Sequence, residues 1–303
     1  MTTFKAKGQI SDDHPLAAGV IGRSGTPIAS YLMEKADLLV VFGASFSNHT
    51  GLDNLKDIIQ VDFDRMALGK FHPVQIPVWG EVATTARLLV DALPEDRACT
   101  DQTGEIARRW RIWREEKLRR SQATSRDGLS SAAVFAALTD AVPADAVIPV
   151  DVGNNTYSFG RYFECKNQTI LMSGYLGSIG FAFPAALGAW AGAAGRKVIS
   201  ISGDGGFGQY MNEFTTAVRY NMDITHVLLN NSELGKISKE QRAGHWPVWQ
   251  TELVNPNFAE YAELCGGLGI RVTDITELTG ALETAFRHEG PSLVEIITAG
   301  DLR

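Results

Sequence analysis

The stretch KVISISGDGGFGQY (197–210) runs from a β-branched, apolar segment straight into GDGGFG (203–208), where four of six residues are glycine. β-branched residues suit a pleated, buried surface, and glycines clear the turn that follows of side chains. One carboxylate, Asp204, stands in that cleared backbone. Beyond it Met211, Phe214, Thr215 and Val218 recur at i, i+3, i+4, i+7, which predicts a helix packed on a sheet, and ITHVLLNN (224–231) predicts the next strand. Strand, helix and strand in that order imply a right-handed crossover between parallel neighbours, whose ends would stand roughly 5 Å apart.

Further strands are predicted at DLLVVFGAS (37–45), KDIIQVDFD (56–64), AVIPVDVG (146–153) and PSLVEIIT (291–298). Alternation of such runs with helical patterns gives an α/β fold of doubly wound parallel sheets, with ligands expected beyond the strand carboxyl ends. Three parts are expected: 1–95, a linker over 96–127, and 128–303. The linker holds RRWRIWREEKLRR (108–120), read as a solvated helix because Glu is interspersed among its cations. Residues 167–195 carry no charge, yet of the twenty from Leu176 to Gly195 twelve are Gly or Ala, so a tightly packed buried helix is expected there and not a membrane span.

A net charge of -7 and a pI near 5.4 argue against nucleic acid and anionic membrane as partners. Cys99, Cys165 and Cys265 lie far apart without paired His, so neither a disulfide framework nor a zinc site is suggested, and a reducing cytoplasm fits. MTTFKAKGQISDDHP (1–15) lacks the apolar core of a secretory signal.

Three readings of GDGGFG compete. As G-x-G-x-x-G it matches a dinucleotide turn, although the following strand ends in Asn230 and Asn231 where that reading wants an acid to hold a ribose. It could equally be a tight turn and nothing more. The third reading uses the acid and the amides together. Asp204 and Asn231, at the ends of neighbouring strands, would ligate one Mg2+, which takes a few protein oxygens and completes its octahedron with phosphate and water. Gly205 and Gly206 would then let a diphosphate approach a helix N-terminus.

GDG, 24 residues and then NN resembles the motif of the thiamine-diphosphate-dependent 2-oxo acid enzymes, the group of acetolactate synthase and pyruvate oxidase. The resemblance implies thiamine diphosphate and Mg2+ as cofactors, with Asp204, Asn231 and the main-chain oxygen of Glu233 on the metal. DVGNNT (151–156) resembles the loop near the diphosphate, which brings in Gly153, Asn154 and Asn155. GYLGSIGFAFPAALGA (174–189) resembles the segment under the aminopyrimidine, so Gly177, Ser178 and Ile179 are expected at the cofactor, Ile179 as the bulky prop. By the residues alone Ile179 reads as core.

NNSELGKISKEQ (230–241) is similar to pyruvate oxidase. It adds Leu234 and Gly235 to the cofactor site beside Gly203, and puts Ile237 and Glu240 near the reacting carbon, Glu240 as proton shuttle or polar wall. A solvated charge is the competing reading of Glu240. His245, in HWPVWQ (245–250), reads as a loop residue. NPNFAEYAELCGGLGIRV (255–272) and GPSLVEIIT (290–298) resemble the close of the diphosphate domain.

GRSGT (22–26), ADLLVVFGASFS (36–47) and IIQVDFDRMALGK (58–70) resemble the family's middle, Rossmann-like domain, which binds FAD in some members and ADP or nothing in others. Acetolactate synthases tend to carry Arg in the loop after the first of these strands, where this chain has ASFSNHT (44–50), so FAD stays open. Asp62 and Asp64 are ribose candidates, or caps for a following helix.

The fold expected is therefore a thiamine-diphosphate-binding (pyrophosphate-domain) fold preceded by a partial middle domain. Decarboxylation or carboligation of pyruvate or a related 2-oxo acid is the activity implied. In the family a Glu of a pyrimidine-binding domain activates the cofactor, and no such domain is recognised here. A homo-oligomer or a complementing chain carrying that domain is the expected partner, and a non-catalytic cofactor-binding fragment or partner subunit the alternative.

Overall fold

A computed structural model describes residues 1–299 apart from 45–48, 54, 97–98, 124, 126–127 and 194. Residues 45–48 of the loop on which the FAD expectation turns, five positions of the expected linker and the last four residues of the chain lie outside it.

Two all-parallel sheets organise the chain. The smaller holds β1 (Leu38–Phe42), β2 (Asp57–Asp62) and β3 (Ile76–Trp79) in that order, flanked by α1 (Pro27–Lys35) and α2 (Val82–Ala92). β1 is only half buried, with Leu38, Val40 and Phe42 exposed on one face. After α3 (Thr103–Ser121) and α4 (Ser131–Ala141) comes the larger sheet, built from β4 (Val147–Val150), β5 (Thr169–Met172), β6 (Val198–Gly203), β7 (Ile224–Asn230), β8 (Leu268–Val272) and β9 (Ser292–Ile297). Their order is β5-β4-β6-β7-β9-β8, so the winding reverses between β4 and β6. β5 and β8, the two edge strands, and β3 were not among the strands predicted from sequence.

The connecting helices are α5 (Asn154–Tyr162), α6 (Ala182–Gly192), α7 (Asp204–Phe207), α8 (Phe214–Arg219), α9 (Gly235–Ala243), α10 (Phe258–Leu264) and α11 (Ile275–Arg287). Two buried apolar clusters cover the two faces, one including residues of α4, α5 and α11, the other residues of α6, α8 and α10. Among the described residues no helix is long and apolar enough to cross a membrane.

Two expectations need correction and a third a refinement. The basic helix is not a solvated linker: α3 buries Ile106, Trp110, Trp113 and Lys117, and Trp110 Nε1 donates to Ala17 O at 2.8 Å. Its Arg and Lys side chains screen a tryptophan face that simple charge counting hides. The charge-free segment 176–195 is not one buried helix. Gly177 (φ 71°) and Gly180 (φ 87°) take left-handed conformations that end helical geometry, so α6 begins only at Ala182 after a loop in which Tyr175 is 95% exposed. The helix expected over 211–218 is present but opens as a 3-10 turn over Met211–Glu213 that runs directly into α8, and its inner face is Phe214 and Ala217, with Thr215 exposed.

Candidate functional site

The loops after β4, β6 and β7 open onto one cavity of about 770 Å³, at the point where the strand order reverses. All but two of the residues expected at the thiamine diphosphate site line it. Gly153, Asn154 and Asn155 follow β4; Gly203, Asp204, Gly205 and Gly206 end β6 and begin α7; Asn231, Glu233, Leu234, Gly235 and Ile237 follow β7; Gly177 and Ile179 come from the loop before α6. Ser178 and Glu240 do not line it. The Ser178 side chain is exposed, and Glu240 on α9 is an exposed carboxylate ion-paired with Lys236, which holds its carboxyl below the usual range.

Register explains why acid and amides meet. β6 and β7 are paired neighbours with Gly203 opposite Leu229, so Asp204 and the Asn230–Asn231 pair leave the sheet side by side. Asp204 is buried, and burial pushes its carboxyl up from the usual value against hydrogen bonds from Asn255 and the Gly205 N–H. Asn255 Nδ2 reaches Asp204 Oδ2 at 2.7 Å and Asn230 Oδ1 at 3.0 Å. Asn230 Nδ2 in turn donates to the buried Glu295 at 2.7 Å, so its side chain is committed to the scaffold while Asn231 faces the cavity.

Asp151, at the end of β4, holds the wall. Its carboxylate, pushed up by burial, accepts from Gly180 N–H at 2.9 Å and Ala182 N–H at 3.4 Å, which fixes the loop bearing Ile179. One glycine of the turn answers to the same residue: a Cβ on Gly206 would stand 2.7 Å from Asp151 Oδ2, whereas one on Gly205 would stand 2.8 Å from Leu234 Cδ2, the end of a flexible side chain. Close packing within the protein thus requires glycine at 206 and is more forgiving at 205.

Three helices, α5, α7 and α9, start at the cavity, and their N-cap residues Gly153, Gly203 and Leu234 supply no side-chain cap. α4, whose first residue Ser131 also lines the cavity, is capped by Ser130, and α1, α2, α10 and α11 are capped by Thr26, Glu81, Asn257 and Asp274, whereas α3, α6 and α8 have no side-chain cap. First-turn N–H groups without a cap carry partial positive charge and accept an anion. Asn255, Asp151 and Arg23, all at or beside the cavity, were missed as site residues; DVGNNT and GRSGT were quoted for their resemblance, but nothing local marks Asp151 or Arg23, and Asn255 lies 51 positions from the acid it touches.

Among the described residues no cluster of three or more His, Cys, Asp or Glu side chains stands ready for a metal. In the middle domain Asp62 Oδ1 accepts from Asp64 N–H and Asp64 Oδ1 from Met66 N–H, so both acids close local turns and cap no helix.

Fold and cavity together define a doubly wound α/β protein with its ligand cavity at the topological switch point. The chain belongs to the thiamine pyrophosphate enzymes: residues 151–296 match their C-terminal TPP binding domain and residues 1–89 their central domain. It is 34% identical, over 99% of its length and 52% of the relative's, to "Putative thiamine pyrophosphate-containing protein YdaP" of Bacillus subtilis. Identity is 30% to the acetolactate synthase large subunit of Corynebacterium glutamicum, covering 99% of this chain and 50% of that one. For the acetolactate synthase isozyme 2 large subunit of Escherichia coli it is 28%, covering 97% and 54%. The chain thus spans about half the length of these curated relatives. Family membership sets aside the dinucleotide reading of the glycine turn.

Proposed function

We propose that the cavity binds thiamine diphosphate through Mg2+, for decarboxylation or carboligation of pyruvate or a related 2-oxo acid. The observation that carries this is the convergence of Asp204, Asn231 and three uncapped helix N-termini on one cavity. The donor set fits the group: one carboxylate, one amide and main-chain oxygen suit a hard cation that keeps sites for phosphate, and free N–H groups suit the phosphate oxygens.

In this reading Asp204, Asn231 and the Glu233 main-chain oxygen hold the metal, and the first turns of α5, α7 and α9 hold the diphosphate. Gly153, Asn154, Asn155, Leu234 and Gly235 shape that end. Ile179, braced through Gly180 by Asp151, and the more exposed Ile237 supply apolar lining beside the reacting centre. Thiamine diphosphate, when bound, supplies a nucleophilic thiazolium carbon and an electron sink for loss of carbon dioxide. Proton traffic by Glu240 would require it to leave Lys236 and turn inward. That pairing favours a second reading, a cofactor-binding partner subunit whose turnover needs a pyrimidine-binding domain on another polypeptide. FAD has no residue assigned to it in this proposal.

Calorimetric titration with thiamine diphosphate and with NAD, each with and without Mg2+, tests the reading. Magnesium-dependent uptake of thiamine diphosphate alone is expected; NAD binding, or indifference to Mg2+, would overturn it. Carbon dioxide release from pyruvate on adding a pyrimidine-domain chain separates the enzyme from the partner subunit.

A further inference from the structure

The cavity is lined by the acids Asp204 and Glu233 and by the cations Arg23, Arg161, Lys236 and Lys239, and the Arg23 charge also acts on Glu240. Along α5, which Asn154 opens beside the glycine turn, Arg161 lies seven residues on and about 10 Å further at 1.5 Å per residue.

Arg161 does not offer its own charge freely. Its guanidinium donates to Arg23 O at 3.2 Å and Gly25 O at 3.4 Å, which seats the turn 22–26 on α5. Gly160 allows that approach, since a Cβ there would stand 2.5 Å from Ser24 O. Arg23 N–H also donates to His49 O at 3.0 Å, so the backbone of Arg23 is held on both sides. Of the other cations lining the cavity, Lys236 is paired with Glu240 and Lys239 is engaged. The Arg23 guanidinium, by contrast, makes no hydrogen bond or ion pair with a described residue.

We infer that Arg23 anchors the substrate's carboxylate, an inference that rests on reading the cavity as a 2-oxo acid site. A guanidinium offers two parallel N–H donors matched to the two oxygens of a carboxylate. A 2-oxo acid carries that group next to its reacting carbonyl, so fixing the one orients the other. Selection follows from the same contact, because a neutral analogue leaves the guanidinium without its partner.

The test uses the chain loaded with thiamine diphosphate and Mg2+, titrated calorimetrically with oxamate, an unreactive carboxylate, and with neutral oxamide. Arg23→Met is expected to weaken oxamate about 10- to 100-fold, the scale of one hydrogen-bonded charge. Arg23→Lys should lose less, and oxamide should not distinguish the three proteins. Thiamine diphosphate affinity and melting temperature should match the parent's. Equal oxamate affinity in parent and Arg23→Met, or no oxamate binding by the loaded parent, overturns the inference. Failure of the parent to take up thiamine diphosphate overturns the reading of the cavity itself, and this inference with it.

Discussion

Asn255 Nδ2 lies 2.7 Å from Asp204 Oδ2, and this contact orients a buried carboxylate that faces the cavity. Because the same amide reaches Asn230, it ties the end of β6 to the end of β7. Residues that orient a metal ligand typically contribute 10- to 100-fold in metal affinity. Asn255→Ala is therefore expected to weaken Mg2+-dependent binding of thiamine diphosphate by about that factor. Isothermal calorimetry at fixed Mg2+ measures it; unchanged affinity would show that Asp204 needs no such support.

Gly206 and Gly205 differ in what surrounds them. An alanine Cβ at Gly206 would meet the Asp151 carboxylate at 2.7 Å, and Asp151 cannot retreat without releasing Gly180. At Gly205 the neighbours are the far ends of Leu234 and Leu253, at 2.8 and 3.3 Å, which can rotate away. Urea unfolding should show Gly206→Ala destabilised by about 1–3 kcal/mol and Gly205→Ala by less. The reverse ranking would contradict the bracing role given to Asp151.

His226 gives a pH dependence. It is wholly buried between Phe183 and Phe207, with Nε2 3.0 Å from Ser202 Oγ and Nδ1 without a partner among the described residues. Burial pushes its pKa from 6.5 down to about 3. The unfolded chain then binds a proton that the folded chain refuses between those values, so stability falls as pH drops from 6.5 towards 3. The loss assigned to this group approaches roughly 5 kcal/mol at the low end. His226→Phe should flatten the stability curve over that window in chemical denaturation, whereas an unaltered curve would mean the ring charges in place.

The Glu164 carboxyl is shifted in the same direction as His226, and its contribution too is lost on acidification. Arg114 and Lys117 of α3 hold its carboxyl below the usual range despite burial. A depressed acid stabilises the fold above its unfolded pKa, and that contribution disappears as pH falls through the folded value. Glu164→Gln should cost about 1–3 kcal/mol at pH 7, where it leaves Lys117 without its partner. The difference between parent and variant should shrink once the pH lies below the depressed value. Differential scanning calorimetry at the two pH values reads this directly, and equal stability at pH 7 would detach the pair from the docking of α3.

What the sequence made legible was local. β4, β6 and β7 are buried, mainly apolar runs, and small or amide residues mark the turns that follow, at Gly153, at Gly205 and Gly206, and at Asn231, so much of the cavity's lining could be read from the sequence. What it hid was non-local or cancelled by composition. β5 and β8 are short edge strands without full burial, and Trp110 and Trp113 sit among arginines that mask their buried face. Asn255 and Arg23 come from distant segments and meet the site only through tertiary packing, while Glu240, adjacent in sequence, turns to Lys236.

The central claim is that Asp204 and Asn231 grip one divalent ion that holds a diphosphate. Thiamine diphosphate binding to the parent, Asp204→Ala and Asn231→Ala, each with Mg2+ and with excess chelator, tests it most directly, with circular dichroism to verify the fold. Strong binding is predicted only for the parent with Mg2+, and both variants should resemble the chelated parent. Near-native affinity in either folded variant, or binding by the parent undiminished by chelator, would contradict it.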